Sequence, residues 1–357
     1  MAEQPGGAAA PAVISRRALC AGLAALAAPA PAQVRRPGFD AEVRKRGGTH
    51  ASLAAALAAA PADGQPYRIL LGRGRWTEKL TLTRPNVELI GEDRHESILN
   101  SSVAAGHRKP SGGRWGTFGS ATLTIEAAGF TARNLTIENG FDYIANLRTG
   151  VVEGAQAVAL ALGNAADRTL IDGVDLLGHQ DTFYLRSGRA LIRRCFISGN
   201  VDFIFGGAAA LFEGCEIRSR LRPGQALQGY VAAPSTPRQQ RFGLVFDRCR
   251  LTREHGVPDA SVYLGRPWRA GGDVNLHGAA TYLGCWMDAH IHPDGWTWMS
   301  YRGPNDYPMT FQPGDARFGE FASSGPGARR LPLRRILSRP EAATYSRSAL
   351  FPDWQPD

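Results

Sequence analysis

At 357 residues the chain is long enough for two ordinary domains, but no linker-like stretch divides it, and a repeating coil adds length without a second core. Forty-one Lys and Arg against 32 Asp and Glu give a net charge of +9, which attracts polyanions. No basic helix, Lys/Arg block or aromatic RNA-binding signature accompanies that charge, so no nucleic-acid partner is expected. Beyond the N-terminus no apolar run approaches the ~18 residues of a membrane span.

In chain order the first feature is residues 1–32. A polar start, Arg16 and Arg17, an Ala/Leu run from Ala18 to Ala28 and the small-residue stretch Ala28-Pro29-Ala30-Pro31-Ala32 together read as a secretory signal peptide. Ser15-Arg16-Arg17 points towards twin-arginine export, and Leu19 before Cys20 makes a poor lipoprotein site. The expectation is an exported, periplasmic or extracellular protein, with residues 33–357 forming the one folded domain. The leader holds Arg16 and Arg17 against Glu3, so the exported part keeps +8. An acidic polysaccharide suits that charge and compartment.

Next, Thr49 or Ser52 opens an Ala/Leu stretch that ends before Pro61, which predicts a helix covering the first turn of whatever follows. From Asn86 to Asp288 the sequence is short β-rich runs punctuated by Gly, Asn and Asp. Six segments share one frame, centred on Leu135, Val174, Cys195, Cys215, Cys249 and Cys285, with steps of 39, 21, 20, 34 and 36 residues. Such steps fit one or nearly two short coils with loops of variable length, the pattern of a solenoid. The short β-rich runs favour a parallel β-helix over helical or leucine-rich repeats; a two-sheet sandwich also fits regular short strands. The shared frame puts the four cysteines at the same inward position, as packed thiols in preference to disulfides. Near the other end Ser338-Arg339-Pro340-Glu341 combines a capping box with an early Pro, predicting a second helix packed along the coils.

Three motifs carry chemistry. Asp181 lies in GHQDTFY (178–184) and Asp202 in GNVDFIFG (199–206), 21 residues apart. If that is one coil, the carboxylates stack on successive turns about one strand spacing, ~5 Å, apart. Two such groups do not ionise together easily, so one pKa rises while a cation holds the other group charged, which yields an acid and a base. The cation candidate is Arg266 in YLGRPW (263–268), able to grip a carboxylate through two nitrogens. Gln180 beside Asp181 and Gln156 on a preceding coil supply amide donors suited to a developing oxyanion. Each residue also has a plain structural use: stacked Asp side chains cap turns, and Arg–Asp pairs are often scaffolding. The joint occurrence of the motifs favours chemistry. The eight His are scattered and no CxxC or Cys/His metal spacing occurs, so neither metal nor cofactor is expected.

With these stretches, and with GSATLTIEAAGFTARNLTIEN (119–139), QAVAL (156–160) and ARFGEFASSGPGA (316–328), the chain resembles the pectinesterases, the pectin methylesterase family of carbohydrate esterases. That resemblance implies an all-β right-handed single-stranded parallel β-helix with short capping helices. It also implies hydrolysis of galacturonate methyl esters in pectin to free carboxylates and methanol, by a monomer whose partner is the polysaccharide. It places the nucleophile at Asp202, the acid/base at Asp181, the oxyanion glutamine at Gln180, the arginine partner of the nucleophile at Arg266 and a second cleft glutamine at Gln156. The sugar-binding groove falls on Trp268, Tyr184, Phe205 and Met299. His179 and Asn200 depart from the Tyr and Thr common in the family, without replacing a catalytic role. The loops 220–240 and 253–261 carry no readable motif. Rival readings remain: a pectin-cleaving lyase or glycosidase, an exported β-helix acyl thioesterase, and a non-catalytic pectin-binding scaffold.

Overall fold

The computed structural model describes residues 38–329 and 331–356, so the leader expected at 1–32 lies outside the described residues. Within them the chain winds through three parallel sheets in rotation. From the strand Tyr67–Leu71 to the strand Val262–Gly265 each turn contributes a strand to a ten-stranded sheet, then to an eight-stranded sheet, then to a seven-stranded sheet, before rejoining the first. This is the parallel β-helix expected. The pairing register shows it in one inward column, Ala132↔Ile171↔Ile192↔Phe212↔Phe246↔Tyr282. Those offsets are 39, 21, 20, 34 and 36 residues, the steps read from sequence. Every step is therefore one coil, including the long ones, and none is nearly two; the surplus residues lie in loops that leave the sheets.

Apolar β-branched and aromatic side chains fill the interior because strands alternate faces and stacked coils place like upon like. Phe212, Phe246 and Tyr282 stack in parallel at 4.7 and 4.4 Å between centroids. Cys195, Cys215, Cys249 and Cys285 are all unpaired and buried, one per coil, as the shared frame predicts.

The bend between the ten- and eight-stranded sheets has a local cause. The residue before each inward Leu135, Val174, Cys195, Cys215, Cys249 and Cys285 is left-handed: Asn134, Gly173, Arg194, Gly214, Arg248 and Gly284, with φ between +50° and +63°. One left-handed residue turns the strand sharply while leaving backbone groups pointing along the stack. The N–H of Phe196, Glu216 and Arg250, for example, donates to the carbonyl of Val174, Cys195 and Cys215 at 2.9–3.1 Å.

Both predicted helices form. Ser52, not Thr49, caps the helix Leu53–Ala58, and the Glu78 carboxylate accepts from the N–H of Leu53 and Ala54 at 2.9 and 2.8 Å, satisfying donors that a helix start leaves open. Leu53 and Ala56 close the end of the core. Ser338 and Glu341 make the capping box of the helix Arg339–Ala343. The segment that follows lays Leu350 and Phe351 on the outward column Leu170, Leu191, Leu211 and Val245 of the ten-stranded sheet. The helix Tyr143–Thr149, capped by Asp142 and ended by Gly150 at φ +65°, interrupts the β-rich stretch where none was expected.

Candidate active site

The seven-stranded sheet carries the site. Asp181 stands just before the strand Phe183–Leu185, and Asp202 is second in the strand Val201–Gly206. The pairs Phe183↔Ile204 and Tyr184↔Phe205 keep an offset of 21, so the aspartates hold matching positions on adjacent coils. The Asp181 N–H donates to the Val201 carbonyl at 3.0 Å.

Both aspartates have left-handed backbone, φ +63° at Asp181 and +49° at Asp202. This decides which side chains share the cleft. In an uninterrupted strand residues i and i+3 face opposite sides. Here the left-handed residue breaks the alternation: Thr182 and Phe183, like Phe203 and Ile204, are both buried, and Tyr184 and Phe205 return to the face of their aspartates. The register between the strands Val201–Gly206 and Gly229–Pro234 shifts at this point. Asp tolerates left-handed backbone better than most side chains, and strain of this kind gathers at functional sites.

Arg266 grips Asp202 at two points, Nε to Oδ1 at 2.9 Å and Nη2 to Oδ2 at 2.6 Å. It leaves the end of the strand Val262–Gly265, where a side chain on Gly265 would meet the Ala232 carbonyl at 2.6 Å, so the close approach of these coils needs glycine. The guanidinium also lies over the Tyr230 ring, 3.8 Å from its centroid, and Tyr230 stacks on Tyr263. Burial works against the Arg266 charge, but Asp202 outweighs it and the pKa rises. Asp181 has no such cation. Burial first, then the neighbouring Asp202 charge, push its carboxyl well above the usual carboxylate range, with Arg266 opposing only in part. A carboxyl pushed towards its protonated form thus sits beside an arginine-held carboxylate, the asymmetry expected of a working pair.

All nine residues read from sequence line one cleft of about 480 Å³: Gln156, Gln180, Asp181, Tyr184, Asp202, Phe205, Arg266, Trp268 and Met299. Gln156 and Gln180 make no side-chain hydrogen bond among the described residues, so their amides are open to the cleft. Phe205 is only 3% exposed and acts mainly as the base on which Tyr184 stacks at 4.4 Å, with Trp268 tilted against both. Thr117, Phe118, Arg186, Ala233, Ala270 and Gly271 complete the lining and were not foreseen. Phe118, which meets Tyr184 edge-on at 5.8 Å, arrives on the short helix Gly116–Gly119, whose sequence has no repeat frame to betray it. Arg186 follows the GHQDTFY stretch by two residues, the one signal available. Of the two unreadable loops, 220–240 contributes only Ala233, and 253–261 contributes nothing.

His179 stacks on Tyr143 at 5.1 Å and shares a 3.3 Å contact with the Asn200 amide. Burial, helped by the Arg220 charge, lowers its pKa to about 3, so its ring stays neutral. Neither residue lines the cleft. A larger recess, about 600 Å³, lies beneath the C-terminal segment on the ten-stranded sheet. It contains neither aspartate, and its acids Glu213 and Asp247 are paired with Arg347 and Arg248, so volume alone does not locate the chemistry.

Comparison with known proteins agrees with this geometry. The family model for pectinesterases matches residues 40–339. The chain is 39% identical to pectinesterase A of Dickeya dadantii over 327 residues, spanning 87% of this chain and 89% of that protein. Among solved structures, a pectin methylesterase in complex with a hexasaccharide superposes with a TM-score of 0.86 at 40% identity, covering 89% of this chain and 98% of that one. The pectin methylesterase of Yersinia enterocolitica gives 0.82 at 38%, covering 85% and 99%.

Proposed function

The chain belongs to the pectinesterase family, carboxylic ester hydrolases that remove methyl esters from pectin, and we propose that it does so with Asp202 as nucleophile and Asp181 as acid and base. The Asp202 carboxylate attacks the ester carbonyl of a galacturonate unit. The oxyanion that forms is met by the amides of Gln180 and Gln156, which have no side-chain hydrogen bond among the described residues and act where charge develops. Asp181, protonated in the resting site, gives its proton to the departing methoxy oxygen, and methanol leaves an acyl anhydride on Asp202. The Asp181 carboxylate then takes a proton from water as that water attacks the anhydride, which frees the galacturonate acid and restores both side chains. Arg266 fixes the attacking oxygens throughout. Trp268, Tyr184 and Met299, with Phe205 behind, give flat apolar surface for the pyranose rings.

The observation that carries this reading is the unequal pair: two matched aspartates, one in a two-point arginine grip and the other buried without a cation. The test is methanol release from highly methylated pectin at unchanged chain length. Chain shortening, or no methanol, would overturn it.

We further propose that residues 1–32 are an export signal removed after Ala30 or Ala32, placing the enzyme in the periplasm or outside the cell. No helix among the described residues is long and apolar enough to cross a membrane. N-terminal sequencing of the exported protein checks this; retention of Met1 to Ala30 would refute it.

A further inference from the structure

Arg266 holds Asp202 through Nε and Nη2, and its Nη1 makes no hydrogen bond among the described residues. Two parallel bonds leave a guanidinium free to tilt about the line through the carboxylate oxygens. The Tyr230 ring closes that freedom, with the guanidinium carbon 3.8 Å from its centroid, the separation of a stacked contact. Tyr230 belongs to the strand Gly229–Pro234, opposite Val201 and one coil beyond Asp202, where its N–H donates to the Asn200 carbonyl at 3.0 Å. Tyr263 stands opposite Tyr230 on the next coil, its ring 6.0 Å away and 14° from parallel. His292 follows, 4.2 Å from Tyr263 and 28° from parallel. The Asp294 N–H donates to His292 Nδ1 at 3.2 Å, which leaves Nε2 to carry the hydrogen towards the Tyr263 hydroxyl at 3.4 Å. Three stacked rings therefore back the guanidinium, and none of them lines the cleft. The Tyr230 hydroxyl has no hydrogen-bond partner among the described residues, so the ring face is what this position supplies.

Both Asp202 oxygens are engaged by Arg266, so the tilt of the guanidinium sets the direction of the oxygen that attacks. That direction matters, because a reacting group misplaced by about 1 Å costs on the order of 10² in rate. We infer that Tyr230, braced by Tyr263 and His292, is a positioning residue for the esterase reaction, holding Arg266 flat so that the Asp202 carboxylate stays aimed at the ester carbonyl. This rests on the esterase reading above and adds to it a part of the machinery that stands behind the cleft and does not line it.

The test measures kcat and KM for methanol release from methyl-esterified galacturonate oligomers by Tyr230→Leu and Tyr230→Phe, each in the wild-type and the Arg266→Lys backgrounds. Tyr230→Leu should lower kcat about three- to thirtyfold, the range for loss of one cation–ring contact, with KM within about twofold. Tyr230→Phe should keep kcat within about twofold, because the ring face remains. In the Arg266→Lys background Tyr230→Leu should change kcat by about twofold or less, since an ammonium has no plane for a ring to set. A purely structural role would lower stability without this coupling. Wild-type kcat in Tyr230→Leu, an equal loss in both backgrounds, or a Phe variant as impaired as the Leu variant would each overturn the inference. Circular dichroism shows which variants fold. Should Tyr230→Leu not fold, Tyr263→Leu carries the test, with a kcat loss of about two- to tenfold expected and an unchanged kcat overturning the inference. If the wild type itself releases no methanol, the esterase reading fails and the inference with it, an outcome distinct from turnover that is indifferent to Tyr230.

Discussion

Two buried carboxylates of this solenoid, nine residues apart on one coil, have opposite surroundings. Asp172, on the ten-stranded sheet, is 4% exposed at its side chain and faces three arginines, Arg133 at 2.6 Å, Arg193 at 3.0 Å and Arg194 at 2.5 Å. Asp181, on the seven-stranded sheet, is about as buried, and its nearest charged neighbours are another aspartate and the arginine already occupied by it. The first carboxylate is surrounded by more positive charge than it carries. The second has no cation of its own, and burial with the Asp202 charge raises its pKa, which favours a proton that it can release. The same fold thus makes a fastening or a reactive group from one residue type, depending on how many cations its neighbouring coils supply.

The largest expected effect breaks the reactive side of this comparison. Asp202→Asn removes the nucleophile and keeps the shape, so methanol release should fall by ~10³ or more. Asp181→Asn should be severely slowed too, since methanol leaves poorly without a proton. Substantial turnover by folded Asp202→Asn would remove the covalent mechanism. Arg266→Lys should come next, with a loss on the order of 10², because one ammonium cannot reproduce the two-point grip or the flat contact with Tyr230. Near-normal turnover in that variant would reduce Arg266 to a structural role.

The fastening side is tested by Asp172→Asn, which leaves three arginines facing a neutral amide. Those arginines are partly solvated, so the expected loss is about 1–3 kcal/mol of stability, read by denaturant unfolding, with turnover per folded molecule unchanged. A loss of turnover without a loss of stability would contradict the division drawn here. The subtlest expectation concerns pH. A carboxyl whose folded pKa is raised favours the native state below its unfolded pKa and loses that contribution as pH climbs through the folded value. Asp181 should therefore depress stability on the alkaline side, and Asp181→Asn should melt above the wild type at pH 8, with the gap closing towards pH 4. Equal melting temperatures at both pH values would mean that Asp181 is not held protonated.

Much of this was legible because coils repeat. The frame around Cys195, Cys215, Cys249 and Cys285 predicts inward thiols, and the steps between frames equal the strand offsets. What reads poorly is whatever leaves the repeat. The helix Tyr143–Thr149 had an Asp cap and a terminal Gly to announce it, but lay in a loop with no frame. Phe118 and Tyr230 carry no local pattern at all, because their roles arise from contacts with Tyr184 and Arg266 many residues away.

Sequence by itself was enough for the solenoid, for helix starts at Thr49 or Ser52 and at Ser338, and for a 21-residue pairing of Asp181 with Asp202, since each depends on short-range periodicity or on the chemistry of neighbours in the chain. Tertiary structure alone decided that left-handed backbone at both aspartates turns Tyr184 and Phe205 onto the same face as the carboxylates. It also decided that Arg266 rests on Tyr230 while gripping Asp202. Backbone handedness at one residue and the compensation of one charge are set by the coils above and below, whose loops vary in length without any period. No linear reading of the chain carries those distances, and in this protein they separate the carboxylate that fastens from the one that reacts.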